Sequence, residues 1–340
     1  MKLKSDLGYV TLVTALPVES AAVRKFLDLR QTDVGATGTR YETGVFHGAG
    51  VVLLETGAGN VDAAIEVEKA VEKYRSRYLF FIGVAGGIKD VRMGDVVAAT
   101  KIYNYESGKA DQEFLPRPKM GESSYYLVQL AKTVARSERW KTAVGSGDAA
   151  SAFISPIVAG EKVISSLDAA ELAVIQSTYS DAVAVEMEGY GVLRVGYSRE
   201  EVRMIVIRGI SDMLGGKSHA DASGSQETAS AHAAGFAFQM LLDLLDELRP
   251  IPQSAWETLE SLAVSLYPVG PTHQGIWSRA GGDLSTLELM QSGKSAWHGA
   301  ITQLRNGGGG KEITFMSLIA GMLEDFPNNR DLQEIARSAA

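Results

Sequence analysis

Two apolar rhythms alternate along the first 250 residues of the chain. Short, nearly unbroken apolar runs have strand length: "YVTLVTAL" (9–16), "GVVLLETGAG" (50–59), "YLFFIGVAGG" (78–87), "GDVVAATKIYNYE" (94–106) and "RMIVIRGISD" (203–212), with "TAVGSGD" (142–148) read as a further strand. Between them lie segments whose apolar residues recur at helical spacing: "PVESAAVRKFL" (17–27), "NVDAAIEVEKAVEKY" (60–74) and "ETASAHAAGFAFQMLLDLLDEL" (227–248). Pro17 suits a first helical turn, and Asn60 is placed to cap its helix. Strands apolar on both faces, alternating with helices, imply an α/β fold with a mixed central sheet flanked by helices. Ligands in such folds gather at the carboxyl ends of strands. The stretches "GAGN", "VAGG", "SGD" and "ISD" all fall at such ends.

Beyond Pro250 and Pro252 the pattern changes. Strand alternation stops, and short helical patterns are separated by "RAGGD" and "RNGGGGKE". The expected organisation is an α/β domain over residues 1–249, a linker over 250–255 and a small all-α domain over 256–340. Trp256, Trp277 and Trp297, three of the four tryptophans, fall in this last part, where they suit either packing or an interface.

Composition narrows the chemistry. A formal net charge of −8 excludes a broad surface for nucleic acid or anionic membrane. The absence of cysteine removes disulfides, thiol nucleophiles and thiolate metal sites. The five histidines lack metal-ligand spacing, and His219 and His232 read as surface or helix residues, so no metal and no cofactor are expected. "GAGNVDAA" lacks the full glycine pattern of a dinucleotide loop. No apolar run reaches membrane-spanning length, and Pro17 and Glu19 interrupt any signal-peptide core, so the expected compartment is the cytoplasm.

The candidate chemistry is carboxylate chemistry. "AVEMEGYGV" (184–192) sets Glu186 and Glu188 around Met187 where a buried strand passes into a helix. Unpaired carboxylates are costly to bury. Glu19, Glu186, Glu188 and Asp212 all sit beside expected strand ends. Each alone reads as a helix-start carboxylate satisfied by backbone amides, as Asp148 after "GSG" does. Several on one sheet edge can divide acid and base roles. Lys101, Lys109, Arg208 and Lys217 lie near pocket-forming loops, where together they would suit a 5′-phosphate. Singly they read as solvated or ion-paired residues, except Arg208, which needs a partner inside its buried strand.

"TALPVES", "ETGAGNVDAA", "FIGVAGGIKDVRMGDVV", "AVEMEGYGV" and "IRGISD", in this order and spacing, resemble the purine and uridine phosphorylase superfamily over residues 8–248. The nearest branch resembles the methylthioadenosine/S-adenosylhomocysteine nucleosidases. The resemblance implies that Glu188 accepts hydrogen bonds from the sugar 2′- and 3′-hydroxyls and that Met187 packs on the ribose. It makes Asp212 the acid that protonates purine N7, with Ser211 orienting it, and Glu19 the residue that activates water. Gly86 matches a position beside the nucleophile, Phe153–Ile154 maps to the purine-stacking segment, and Glu186 is left as a local structural partner. "FFIG" lacks the arginine with which phosphorylases hold phosphate, Arg24 falls on a different helix face from Glu19, and Val84 replaces a serine of the nucleosidases. Hydrolysis of an adenine nucleoside or nucleotide, AMP and ATP included, is therefore favoured over phosphorolysis. A phosphorylase and a non-catalytic nucleoside sensor remain the alternatives. The tail, from "GIWSRAGGDLSTLEL" onward, resembles the helical effector-associated domains of bacterial conflict systems. That resemblance implies an effector recruited by a sensor protein with a like domain; the alternative is a small packed domain that aids oligomerisation, and a homo-oligomer is expected.

Overall fold

A computed structural model describes residues 9–112, 114–144, 150–164, 166–214, 224–248, 251–288 and 290–339. The chain divides into two compact units, Met1–Asp246 and Glu247–Ala340.

Among the described residues the first unit has twelve strands: β1 (Val10–Thr14), β2 (Asp28–Val34), β3 (Arg40–Phe46), β4 (Ala49–Glu55), β5 (Tyr78–Gly87), β6 (Val96–Asn104), β7 (Gly108–Ala110), β8 (Phe114–Pro116), β9 (Lys119–Glu122), β10 (Ala152–Ala159), β11 (Ala184–Glu186) and β12 (Arg203–Met213). Its helices are α1 (Pro17–Arg24), α2 (Asn60–Tyr74), α3 (Tyr125–Ser137), α4 (Arg139–Ala143), α5 (Ala170–Thr178), α6 (Gly189–Ser198) and α7 (Ser225–Glu247). The sheet runs β11-β10-β6-β12-β5-β1-β4-β3-β2, with β9 on β6. It is mixed: β1 is parallel to both β4 and β5, while β6 is antiparallel to β12. A further antiparallel pairing of β11 with β5 (Ala184↔Gly87, Val185↔Gly86) closes β5, β12, β6, β10 and β11 into a ring. That closure, which no local pattern announces, brings the carboxyl end of β5 against the turn that follows β11.

The strand core is made largely by the runs that the apolar pattern marks, to which β10, a strand that the pattern does not mark, adds Ile157. Val13, Leu79, Phe81, Val97, Ile157, Val206 and Ile210 are buried together with Val67 and Val71 of α2 and Val192 and Leu193 of α6. Two expectations change. Thr142 and Ala143 close α4 rather than opening a strand, and the remainder of "GSGD", Asp148 included, lies outside the described residues. Asn60 is not the cap of α2; Gly59 holds that position. The Asn60 side chain instead accepts from Gly191 N (2.9 Å) and donates to Glu161 Oε1 (3.0 Å), tying the start of α2 to α6 and to the loop after β10.

The second unit is helical: α8 (Gln253–Leu266), α9 (Ile276–Arg279), α10 (Gly293–Arg305), α11 (Phe315–Asp325) and α12 (Arg330–Ala339). Trp277 and Trp297 are fully buried and Trp256 nearly so, packed with Leu259, Tyr267, Ile276 and Leu318. Of the two readings of the tryptophans, packing holds: they are core, and Trp297 Nε1 donates to Tyr267 O at 2.9 Å. Among the described residues no helix is long and apolar enough to cross a membrane.

Candidate active site

The carboxyl ends of β1, β5 and β12 and the turn between β11 and α6 meet at one cavity of about 340 Å³. Leu16, Ala58, Val84, Ala85, Val163, Ile164, Val185, Met187 and Leu214 give it apolar walls. Glu19, Glu186, Glu188, Ser211 and Asp212 supply its acids and a hydroxyl, with Gly86, Lys162 and Gln226 completing the lining. This size and mixture are those of a small-molecule site.

Glu19 enters from the first turn of α1. Its Oε2 accepts from the amides of Ala15 (2.8 Å) and Leu16 (2.9 Å), and its Oε1 from Val84 N (2.8 Å). It therefore does what a helix-start carboxylate does and also reaches across to β5. Burial pushes its carboxyl above the usual range, against the pull of Arg208 and of these amides.

Arg208 holds the acids together from behind. It is fully buried on β12, lies over the Phe81 ring at 4.0 Å, and is absent from the cavity lining. Its Nη2 donates to Glu186 Oε2 at 2.7 Å and lies 3.5 Å from Glu188 Oε2. Its Nε and Nη1 have no hydrogen-bond partner among the described residues. A Cβ on Gly83 would overlap both Arg208 Nη1 and the Glu19 carboxylate, so glycine is what lets the two groups lie across β5. Glu188 accepts from Gly59 N at 3.2 Å. Burial and then the charge of Glu186 push its carboxyl up to about 7, with Arg208 opposing.

Asp212 follows an irregularity in the pairing of β12 with β5 between Ile210 and Asp212. Such a slip re-aims side chains, and Ser211 and Asp212 both line the cavity. Ser211 Oγ donates to Asp212 Oδ1 at 2.8 Å. Gly86 lies beside Asp212, where a Cβ would stand 3.6 Å from Asp212 Oδ2, so no clash among the described residues demands glycine there.

The structure thus gathers Glu19, Gly86, Met187, Glu188, Ser211 and Asp212 around one space. It does not gather Phe153 and Ile154, which begin β10 opposite Val97 and Ala98 of β6, a strand's length from the carboxyl edge. Val163 and Ile164, just past the end of β10, line the cavity instead. Arg208 is a buried partner of carboxylates rather than a lining residue. Lys101 pairs with Asp181 at 3.3 Å and Lys109 with Asp111 at 2.6 Å, while Lys217 and His219 lie outside the described residues. His232 is buried in α7, bonded through Nδ1 to Gly94 O at 2.6 Å. Sequence reasoning missed Lys162, Val163, Ile164 and Gln226. The available signal was "IVAGEK", another apolar run broken by glycine. Lys162 is the one basic side chain in the lining among the described residues, and its Nζ lies 2.9 Å from Glu171 and 3.6 Å from Glu106. No described group of side chains is arranged to hold a metal ion.

The family model of the phosphorylase superfamily matches residues 9–246. The chain belongs to the phosphorylase superfamily. Residues 249–340 match the model of effector-associated domain 1. A 5′-methylthioadenosine/S-adenosylhomocysteine nucleosidase of Maridesulfovibrio salexigens is 29% identical over 246 residues, covering 70% of this chain and 99% of its own. One from Bacillus cereus is 27% identical over 249 residues, with 69% and 99% covered. Among solved structures, the Neisseria meningitidis nucleosidase in complex with methylthio-immucillin-A superposes with a TM-score of 0.59 at 23% identity, over 69% of this chain and 99% of that one. Futalosine hydrolase of Helicobacter pylori gives 0.59 at 20% identity, over 71% and 100%. These superfamily relatives match the first unit across nearly their whole length, and the structural likeness is one of fold.

Proposed function

We propose that the protein is an N-glycosidase that hydrolyses the purine–ribose bond of an adenine nucleoside or nucleotide. The observation that carries this reading is the convergence of Glu19, Glu188 and Asp212 on one cavity with apolar walls. Cleavage of an N-glycosidic bond develops positive charge on the sugar, as glycoside hydrolysis does. A carboxylate there stabilises that charge, and bonds to the sugar hydroxyls tighten in the transition state. In this scheme Glu188 takes the 2′- and 3′-hydroxyls and Met187 packs on the ribose. Asp212, oriented by Ser211, protonates the purine at N7 so that the base leaves neutral. Glu19 accepts the proton of the attacking water. The purine lies against Val163 and Ile164.

Hydrolysis is favoured over phosphorolysis on electrostatic grounds. The lining carries four carboxylates, and its one described lysine already lies between two others, so a phosphate nucleophile meets repulsion. The relatives named as nucleosidases support the same reaction class. The match to an effector-associated domain supports a second half to the proposal: a cytoplasmic, homo-oligomeric effector of a bacterial conflict system, its helical unit recruited by a sensor bearing a like domain. In this reading residues 250–255 are the linker, 1–249 the enzyme and 256–340 the adaptor. Incubating the full chain with adenosine, methylthioadenosine, AMP and ATP and measuring free adenine tests the enzymatic half. Release from at least one compound is expected; release from none leaves the sensor reading.

A further inference from the structure

Glu186 holds an unusual place among the acids of the cavity. Its side chain is 1% exposed, against 10% for Glu188. Its Oε2 takes the short bond from Arg208 Nη2 (2.7 Å), and its two oxygens accept from Glu188 N (3.0 Å) and Gly189 N (2.9 and 2.8 Å). It thus grips the guanidinium and the backbone that carries Glu188 at once. Glu188, by contrast, has among the described residues only the Gly59 amide at 3.2 Å and the longer approach of Arg208 at 3.5 Å. A buried guanidinium must be paired. If Glu186 gave up its charge, the carboxylates within reach of Arg208 would be those of Glu188 and Glu19, both drawn to it electrostatically.

We propose that Glu186 is a positioning residue: by taking up Arg208 and fixing the Glu188–Gly189 backbone, it leaves the Glu188 carboxylate open to a sugar diol instead of locked onto arginine. The proposal rests on the nucleoside-binding part of the function put forward above and goes beyond it in giving Glu186 a role in binding rather than in packing alone. It also carries a signature in pH. The charged groups acting on Glu188 are Glu186 from β11, Arg208 from β12 and Glu19 from α1, with the Gly59 amide at the start of α2, while Asp212 from β12 and Lys162 after β10 share the cavity lining. The negative charge of Glu186 helps hold Glu188 up near 7. Removing that charge lowers the Glu188 midpoint and strengthens its pairing with Arg208.

The test is nucleoside binding by calorimetry across pH, on the full chain, with adenosine and with a non-hydrolysable adenosine C-nucleoside. Glu186→Gln keeps the shape and an acceptor for the amides. It is expected to weaken binding about tenfold or more and to move the acid limb of the binding curve down by roughly one pH unit, the scale set by loss of a neighbouring like charge. Weaker binding with an unmoved midpoint would mean that Glu186 serves packing only, and overturns the proposal; so does unchanged binding. If Glu186→Gln does not fold, Glu186→Asp decides: because it keeps the charge that holds Arg208, it should bind within a few-fold of the natural protein at an unshifted midpoint, and a loss of about tenfold or more at that midpoint, or a downward shift, overturns the proposal. Because binding is read directly, a chain that binds nucleoside without cleaving it refutes the hydrolase reading and leaves this test intact. A natural protein that binds neither compound refutes the site itself, and the proposal with it.

Discussion

Asp212 and Glu19 carry the proposed proton transfers, so their isosteric amides should keep shape and lose chemistry. Asp212→Asn and Glu19→Gln are each expected to slow adenine release by about 10²–10⁴-fold, the usual contribution of a general acid or base, with nucleoside affinity largely kept. Near-natural rates in either variant would remove that residue from the mechanism. Glu188 sets a pH dependence. Its folded carboxyl titrates near 7, above the ordinary range of an unfolded glutamate. If the diol needs the ionised form, kcat/KM rises as pH passes through about 7. The same raised value means that this group's contribution to folding is fully present below the unfolded glutamate pKa and is lost as pH rises through about 7. Melting temperature of the unliganded protein, measured from mildly acid to mildly alkaline pH, should carry that falling component. Gly83 is a separate case: Gly83→Ala forces Arg208 and Glu19 apart, at a cost of about 1–3 kcal/mol typical of overpacking. A thermal melt that matches the natural protein would show that the guanidinium is free to move aside. At this scale "VEME" and "ISD" were legible because buried acids stand out in apolar runs. Val163, Ile164 and the reason for Gly83 were not, since aliphatic walls and a glycine beneath an arginine look like any strand end.

The elements that sequence patterning marks are those with a strong period or an unbroken apolar run: β1, β4, β5, β6 and β12, and helices α1, α2 and α7. The ones it passes over have physical reasons to be hidden. β2, "DLRQTDV", is polar enough to read as a loop and becomes a strand by antiparallel pairing with β3 at the sheet edge. β10 contains Pro156, which cannot donate to a ladder, and its register with β6 slips between Ser155 and Ile157. With β10 unseen, "SGD" stood in for its carboxyl end, and Val163 and Ile164, which line the cavity just past β10, were passed over. The tie between α2 and α6 also needs three dimensions, because Asn60 meets Gly191 across 131 residues. Asn60→Ala leaves a buried amide without its acceptor, which costs about 1–3 kcal/mol. The variant should melt lower and, since Gly59 N bonds Glu188, bind nucleoside more weakly. An unchanged melt would show that solvent replaces the amide side chain there.

At the scale of the whole molecule, the change of pattern near Pro250 is what the sequence displays best, while the place of the tail tryptophans could not be read from composition. Trp277 and Trp297 are core, so Trp277→Ala should unsettle the helical unit by about 3–5 kcal/mol. Calorimetry of the full chain should then show a transition lost or lowered while adenine release persists. Loss of both together would mean that the two units depend on one another to fold. Partner contacts, if recruitment runs through this unit, fall to exposed residues such as Val269, Leu284 and Met290 instead. The central claim, that a carboxylate-lined cavity directs water and not phosphate at the glycosidic carbon, is tested most directly by running the reaction of the full chain in 18O-labelled water with inorganic phosphate present. The account predicts free adenine and a sugar whose new hydroxyl at carbon 1 carries the label, at a rate indifferent to phosphate; an unlabelled sugar 1-phosphate, formed faster as phosphate is added, would contradict it.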